Sequence, residues 1–269
     1  MDQFWIKRPS KACSILSFVL ISFILSGCIQ SIKMNKEQIA GLHRVGVVSI
    51  VQNKIIVKHI GTTVLTNSEK EFDGPWQFND LIIETIKKDL SEYSYAVVDL
   101  TYDQKSLEKT YEDKIILTAT YRTYDHAPIK EELKKIARDN ALDGIILVTS
   151  SFQDDYIEKT NQTLHKQGLY KRSFLGHENA YLYFWGMVKV LDGRSMDLLA
   201  LRPVGFYSKI DPALWKEDIG LISSDDLRTF EATLKNGIKN AMKYNLSRIG
   251  LINCIPDDYY CDAPISGEK

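Results

Sequence analysis

The sequence predicts an α/β fold of the α+β kind: a single domain with a mixed β-sheet and about three packed helices, behind a cleaved signal peptide. Three observations indicate this class. Short β-branched segments alternate with segments of helical periodicity, an Asp-Gly turn joins two long apolar segments, and residues 1–27 form a separate apolar leader. The 269-residue chain is 44% hydrophobic and 26% charged, which excludes the disordered, fibrous and disulfide-dense classes.

Strands are predicted in the domain, residues 43–252, wherever β-branched and apolar residues are concentrated. Lys54–Ile60 follows a Gln-Asn turn and is therefore expected to form a hairpin with Arg44–Val51. Ile145–Val148 and Ala180–Val190 are apolar on both faces, which is typical of central strands. The remaining predicted strands are Gly61–Thr66, Tyr95–Leu100, Lys114–Tyr124 and Met196–Tyr207.

Three helices are predicted from apolar residues that recur every three to four positions. They are Trp76–Tyr93, Pro128–Asn140 and Ser224–Ile249, and residues 103–112 are open to interpretation as a further short helix. The predicted buried stripes are Phe78, Leu81, Ile82, Ile86 and Leu90; Ile129, Leu133, Ile136 and Ala137; and Leu227, Phe230, Leu234, Ile238 and Ala241.

The chain begins with a segment that is typical of a secretory signal. Lys7, Arg8 and Lys11 precede an apolar run from Ser14 to Leu25. As a helix, that run would span about 18 Å, which is shorter than the hydrocarbon core of a bilayer, about 30 Å. We therefore expect residues 1–27 to direct export and to be removed.

The leader ends in Leu25-Ser26-Gly27-Cys28, an apolar residue and two small residues before a cysteine. This motif resembles the lipobox of bacterial lipoproteins; the alternative is a plain leader with a chance cysteine. The resemblance implies a diacylglyceryl thioether on Cys28, cleavage before Cys28 and usually acylation of the new amine. Because Ile29 stands where an aspartate is associated with inner-membrane retention, the resemblance favours an anchor in the outer membrane, facing the periplasm.

The element order also resembles that of the periplasmic domains of envelope lipoproteins, such as the curli-secretion lipoprotein, and of the N-terminal domain of the Tol-system propeller protein. The shared order is a βα unit, a strand apolar on both faces, a hairpin turning at Asp192-Gly193 and a last helix. In the curli-secretion lipoprotein the insertion between core strands builds a pore wall. Ile157–Gly168 lacks the apolar-polar alternation of a pore hairpin, so we do not expect one here.

The balance of acidic and basic residues limits the partners that we expect. The whole chain has 34 basic and 35 acidic residues, and removal of the leader leaves 31 and 34. This near balance provides no basic field for nucleic acid, so we expect no nucleic-acid partner. The expected partners are the membrane, through the lipid, and another envelope component, either protein or glycan; the oligomeric state is left open.

Cysteine usage agrees with export. After the leader, a polar tether is predicted over residues 28–42, and a C-terminal tail over residues 253–269 carries Cys254 and Cys261. In an oxidising compartment this pair is most simply a disulfide, worth about 2–3 kcal/mol for so small a loop. A redox pair or half of a metal site are the alternatives.

The common catalytic motifs are absent from the sequence. It contains no phosphate-binding glycine loop, no G-x-S-x-G elbow and no H-E-x-x-H metal motif, and no two of the five histidines have metal-ligand spacing. We therefore predict no cofactor, no metal and no enzymatic activity. Tyr124-Asp125-His126 is a candidate for acid-base chemistry, but such residues are also common in loops and helix caps.

The polar insertion over residues 151–177 is the predicted binding loop, because long insertions between core strands often bind partners. Basic and aromatic residues alternate there, as in surfaces that recognise lipopolysaccharide, peptidoglycan or an acidic protein face. A solvated hairpin without a binding role is the alternative. The candidate binding residues are Lys159, His165, Lys166, Tyr170, Lys171 and Arg172.

These observations predict a lipid-anchored, non-enzymatic envelope protein that binds another component or assists assembly. One alternative is a periplasmic domain that binds, and could hydrolyse, a glycan or small molecule, which requires a deep pocket with convergent carboxylates or histidines. A second alternative is a subunit of an oligomeric outer-membrane assembly. An exposed apolar or basic patch at the predicted binding loop would favour the first hypothesis.

Overall fold

In the computed structural model, the described residues are 31–117, 126–215 and 222–253. The predicted leader, the motif that resembles a lipobox and both tail cysteines lie outside them. The strands are β1 Arg44–Ile50, β2 Lys54–Ile60, β3 Ser68–Asp73, β4 Ala96–Val98, β5 Gly144–Ser150, β6 Phe152–Asp154, β7 Thr163–His165, β8 Gln167–Phe174, β9 His177–Asp192 and β10 Leu198–Ile210. The α-helices are α1 Lys36–Ala40, α2 Phe78–Ser91, α3 Gln104–Leu117, α4 Lys130–Asp139, α5 Ser224–Arg228 and α6 Glu231–Arg248.

One long strand, β9, organises the main sheet. It pairs antiparallel with β10 along most of its 16 residues, so β10 fills one of its edges. The other edge is shared: β8 pairs with the half of β9 that begins at His177, and β5 pairs with the half that ends at Asp192. We call these the distal and proximal halves. β5 and β8 therefore lie end to end in one row of the sheet.

The next two rows of the sheet are likewise each made of two strands that lie end to end. β1 pairs in parallel with β5 and β2 pairs in parallel with β8, so β1 and β2 also lie end to end. β4 flanks β1 and antiparallel β3 flanks β2. The eight strands thus form five rows, and only β9 and β10 run through both halves.

The chain leaves the sheet between β5 and β8 to form the β6–β7 hairpin, residues 151–166. At its base, Ser151 N donates to Trp185 O at 3.1 Å and Lys166 N donates to Ser151 O at 2.7 Å. Lys166 has a left-handed backbone with φ of 58°, which turns the returning chain back into register with β9.

Helices cover both faces of the sheet. α2 and α6 bury the apolar stripes that begin at Phe78 and Leu234 against one face, together with Val45, Val57 and Phe184. On the other face, α3 and α4 cover the proximal half. The β6–β7 hairpin covers the distal half, where it encloses a smaller cluster. That cluster contains Ile60, Leu164, Tyr170, Tyr183 and Trp185.

The predicted α/β class, the mixed sheet and the three predicted helices are confirmed, with the third divided into α5 and α6. The expected β1–β2 hairpin is wrong, because the two strands continue in one direction and pair with β5 and β8 instead. Gly61–Thr66 is a loop with a 3₁₀ turn at Val64–Thr66, and the edge strand β3 follows it. Lys114–Leu117 ends α3 rather than beginning a strand.

The end of the predicted tether packs on the domain. Ile32 forms a two-way backbone bridge with Leu201 of β10, at 2.8 and 3.0 Å. Met34 and Leu42 are buried in the core, and α1 lies between them behind an Asn35 capping box. Residues 31–42 are therefore attached to the proximal half of the sheet. No helix within the described ranges is long and apolar enough to cross a membrane.

Candidate functional site

The structure divides the predicted binding loop into two unlike parts. Residues 151–166 are the β6–β7 hairpin, and it folds back over the sheet with Leu164 buried beneath it. Tyr170, Lys171 and Arg172 belong to β8, a strand of the main sheet, which corrects the expectation that they lie in a loop. The six candidate residues therefore do not form one continuous loop.

The basic candidates are engaged in contacts with their neighbours. Lys171 is only 6% exposed, and its Nζ pairs with Glu178 Oε1 at 2.9 Å. Lys166 Nζ pairs with Glu71 Oε2 at 3.1 Å. Arg172 donates from Nη1 to Ile60 O at 3.2 Å and also to Gly61 O. These side chains hold strands together.

The two remaining basic candidates lie apart from these pairs. His165 ends β7 with its ring 5.8 Å from that of Phe152, across the hairpin. Lys159 is exposed in the hairpin loop, with a left-handed backbone at φ of 54°. A convergent basic patch is therefore not assembled from the six candidates.

A buried carboxylate fixes the hairpin loop. Asp155 is 4% exposed and accepts hydrogen bonds from Tyr170 Oη at 2.6 Å, Thr160 Oγ1 at 2.5 Å and Glu158 N at 3.1 Å. Burial, and then the bond to Asp155, raise the pKa of Tyr170 far above its ordinary value. Tyr181 Oη likewise donates to Glu158 at 2.5 Å. The aromatic side chains of the hairpin and of the strands beneath it pack ring against ring. The hairpin is therefore part of the core.

The distal end of the molecule carries a feature that sequence reasoning missed. Four large apolar side chains are exposed there: Val64 at 83%, Leu65 at 96%, Phe174 at 47% and Leu175 at 72%. We call these four residues the apolar tip. Isolated exposed apolar residues are normal on proteins, but a group on adjoining loops is a sign of an interaction surface.

Two loops build the apolar tip. One joins β2 to β3, where Thr66 Oγ1 donates to Thr63 O at 2.7 Å. The other is the turn from β8 to β9, where Leu175 has φ of 48° and Gly176 has φ of 83°. Because β2 and β8 are parallel neighbours, their carboxyl ends deliver both loops to the same edge.

Direct contacts connect the two loops. Leu175 N donates to Thr62 Oγ1 at 3.4 Å. The Arg172 guanidinium bonds to Gly61 O and lies over the Phe174 ring, 5.0 Å from its centre. Behind the tip, His59 Nε2 lies 2.9 Å from Ser173 Oγ, and burial followed by nearby Lys171 lowers the pKa of His59. The apolar tip is therefore held on a fixed base.

Two clefts lie near the carboxyl ends of β1 and β4, the usual place for ligands in parallel sheets. One of about 660 Å³ has Lys54, Asp73 and Asp80 in its wall, and one of about 330 Å³ has Asp103, Glu132 and Asp139. Both are open and mix acidic with basic or apolar side chains. Within the described residues, no group of three or more His, Cys, Asp or Glu side chains could hold a metal ion.

The polar groups near these clefts complete the ends of strands. Asn79 Oδ1 accepts from Ser49 Oγ at 2.6 Å and Val51 N at 2.8 Å, and Asn79 Nδ2 donates to Val51 O at 2.7 Å. Tyr102 Oη accepts from Ser49 N at 3.1 Å. These bonds replace sheet partners where β1 ends.

Of the acid-base candidate, Tyr124 and Asp125 lie outside the described residues. His126 Nε2 is 2.9 Å from Met196 O, and since a carbonyl only accepts, this nitrogen donates. The described contact of His126 is therefore structural.

Three solved structures are similar to this chain, with little shared sequence. The lipoprotein GNA1162 of Neisseria meningitidis is 12% identical; the match covers 74% of this chain and 99% of that one, with a TM-score of 0.27. The hypothetical protein CT253 of Chlamydia trachomatis is 8% identical over 77% and 95% of the chains, with a TM-score of 0.35. XCC0632 of Xanthomonas campestris, of the family model DUF330, is 6% identical over 77% and 81%, with a TM-score of 0.35. No protein-family model and no curated protein matches the chain.

Proposed function

We propose that this protein is an envelope lipoprotein, anchored through Cys28, that acts as a non-enzymatic binding or assembly accessory protein. The anchor rests on the lipobox resemblance at Leu25-Ser26-Gly27-Cys28. Two or three acyl chains hold a protein stably on a membrane, whereas one does so only marginally. The outer membrane, facing the periplasm, is the proposed location because Ile29 follows the cysteine.

The observation that carries the binding role is the apolar tip. Val64, Leu65 and Leu175 are each more than two-thirds exposed, although the same fold buries comparable side chains elsewhere. Exposing a large apolar side chain forgoes about 1.5–3 kcal/mol of burial free energy. Adjoining loops that do this together are best explained by a surface that is covered when the protein works.

The position of the tip supports the same role. Ile32, the start of the described chain, is bridged to Leu201 in the proximal half, whereas the tip lies at the distal edge. From Lys189, the β9 partner of Leu201, to His177 the strand extends about 40 Å at 3.3 Å per residue. Since Cys28 is three residues before Ser31, an anchor on it stays within about 10 Å of the attached segment. The tip is then the end of the domain remote from the anchor.

Photo-cross-linking in living cells tests this proposal. A benzophenone amino acid replaces Leu175 in the full chain, and in a matched chain it replaces Thr233, which is exposed on α6. We expect the Leu175 probe to form adducts with an envelope component, protein or lipid, that the Thr233 probe does not form. Equal adducts from both positions, or none from Leu175 above the Thr233 level, would contradict a binding role for the tip.

A further inference from the structure

Resting on the binding role proposed for the apolar tip, we propose that what it binds is lipid, and that the tip inserts into the surface of a bilayer. The first support is the composition of the two loops. Residues 61–67 and 174–176 contain no Asp, Glu, Lys or Arg, and their polar side chains are three threonines and one asparagine. These loops can therefore enter an apolar medium without burying a charge.

The second support is the size and shape of the surface. Four side chains of this kind bury no more than roughly 600 Å² in total. A stable protein-protein interface buries about 800 Å² on each partner. The tip is also convex, since Leu65 is almost fully exposed and nothing lies within 4 Å of where a Gly176 Cβ would be. A folded partner, or a second copy of this chain, would have to reach well past the loops, whereas acyl chains surround a protruding side chain from all sides.

The third support is the charge directly behind the loops. Arg172 lies at the base of the tip, with its guanidinium over the Phe174 ring and against Gly61 O. The acidic residues that follow the two loops, Glu69 and Glu178, are paired with Lys58 and Lys171. When the apolar side chains lie among the first acyl carbons, a guanidinium at their base is at the depth of the lipid phosphates, which arginine binds well. The apolar tip therefore has apolar side chains at its end and the Arg172 guanidinium at its base.

The test uses the full chain reconstituted in vesicles of equal parts phosphatidylethanolamine and phosphatidylglycerol, with all lipids brominated on the acyl chains. A Leu65→Trp chain reports on the tip, and a Thr233→Trp chain is the matched control on α6. The parent chain without its leader has three tryptophans, Trp76, Trp185 and Trp215, and provides the background fluorescence. Because all lipids are brominated, the tip is quenched whether it enters the membrane that carries the chain or a facing one.

We expect the added fluorescence of Leu65→Trp to be quenched and that of Thr233→Trp to be retained. Adding Leu175→Asn to the Leu65→Trp chain should lower the equilibrium constant for insertion about tenfold, and with it the inserted fraction, because one of the apolar anchors is lost. Adding Thr233→Asn to the same chain should not change it. Equal quenching at positions 65 and 233, or an inserted fraction insensitive to Leu175→Asn, would overturn the proposal.

The outcomes separate this inference from the proposed function. A protein adduct from the Leu175 cross-linking probe, without quenching at position 65, leaves the binding role standing and refutes the lipid. Self-adducts together with a dimer in sedimentation that Leu65→Asn abolishes also refute it, in favour of a second copy of the chain. If neither adducts nor quenching occur, both proposals fail.

Discussion

Asp155 and Tyr170 are hydrogen-bonded at 2.6 Å between the β6–β7 hairpin and β8, with both side chains buried. Asp155 lies in the loop of the hairpin and Tyr170 in the central strand β8, so this bond attaches the insertion to the sheet. Thr160 Oγ1 and Glu158 N donate to the same carboxylate. This one carboxylate therefore joins the loop of the hairpin to the distal half of the sheet.

Tyr170→Phe is expected to destabilise the domain by about 1–3 kcal/mol, because a buried carboxylate loses one of its donors. The measurement is urea unfolding at neutral pH. Tyr181→Phe is the matched control, since Tyr181 donates to Glu158, which is less buried, and its loss should cost less. Equal effects of the two substitutions would show that the burial of Asp155 does not increase the contribution of its hydrogen bond to stability.

Stability should also fall at alkaline pH. Burial raises the pKa of Tyr170, Tyr181 and Tyr183 well above the ordinary 10.0. These phenols stay protonated in the folded state, whereas in the unfolded chain they ionise near pH 10. Their contribution is therefore fully present below about pH 9 and is lost as the pH rises past 10. The free energy of unfolding, measured across this range, should decline, and it should decline less steeply in Tyr170→Phe. Equal slopes for the parent chain and Tyr170→Phe would contradict the assignment of this pH dependence to Tyr170.

Gly168→Ala should be among the most damaging single substitutions. A Cβ at Gly168 would lie 1.8 Å from Ile56 O, a backbone atom that cannot turn aside, so β2 and β8 would have to separate. We expect a loss of about 3–5 kcal/mol or failure to fold, measured by thermal unfolding. Gly41→Ala is the control, because its new Cβ meets nothing closer than 3.6 Å. A mild effect at Gly168 would mean that the two strands pair less closely.

The anchor is tested by the mass of the protein extracted from membranes. The intact mass should exceed that of residues 28–269 by the attached lipid, and Cys28→Ala should abolish both the added mass and membrane retention. An unmodified mass, or unchanged fractionation of Cys28→Ala, would refute lipidation. Cys13→Ala is the control, since Cys13 belongs to the predicted leader and should have no effect.

The tail cysteines are tested by alkylation without reduction. If Cys254 and Cys261 form the predicted disulfide, neither should react until the protein is reduced, and reduction should destabilise the tail by about 2–3 kcal/mol at most. Quantitative labelling of the unreduced protein would exclude the bond. If the disulfide is present, Cys261 should become reactive in the unreduced Cys254→Ser chain, and this result would confirm that the two cysteines are paired.

The sequence contained enough local information for the helices and the central strands. The predicted stripes that begin at Phe78, Ile129 and Leu227 are buried in the structure, except for Leu81 and Ile136, which are partly buried. Helical periodicity follows directly from burial of one face. Ala180–Val190 was recognisable as a central strand because both of its faces are apolar. These features depend on residues that are close together in the chain.

The pairing of the strands could not be predicted from residues that are close together in the chain. Lys54–Ile60 follows Arg44–Val51 after a short turn, which suggests a hairpin, yet the two segments pair with β8 and β5, about a hundred residues later. The hairpin pattern and the end-to-end pattern differ only in the direction the chain takes at residues 51–53. Bonds from Gln167 Nε2 to the carbonyls of Gln52 and Lys54 fix that direction, and Gln167 is distant in sequence.

The predicted binding residues and the apolar tip share the distal half of the sheet but differ in chemistry. The basic residues of β8 drew attention to the distal half, whereas Lys171 pairs within the sheet and the exposed side chains are apolar. Val64 and Leu65 were predicted to be strand residues because apolar, β-branched segments usually are. The threonines and the glycine around them were the available signal for a loop.

The continuity of β9 and β10 has a mechanical consequence. Each of the three remaining rows changes strand halfway, but β9 and β10 stay paired from Leu201 and Lys189 to Ile210 and Ala180. A pull between Leu201 of β10 and the start of β9 acts along both strands, at right angles to the hydrogen bonds that join them. Those bonds must then shear together instead of opening one by one, so this pair of strands is strongest against force along its own direction.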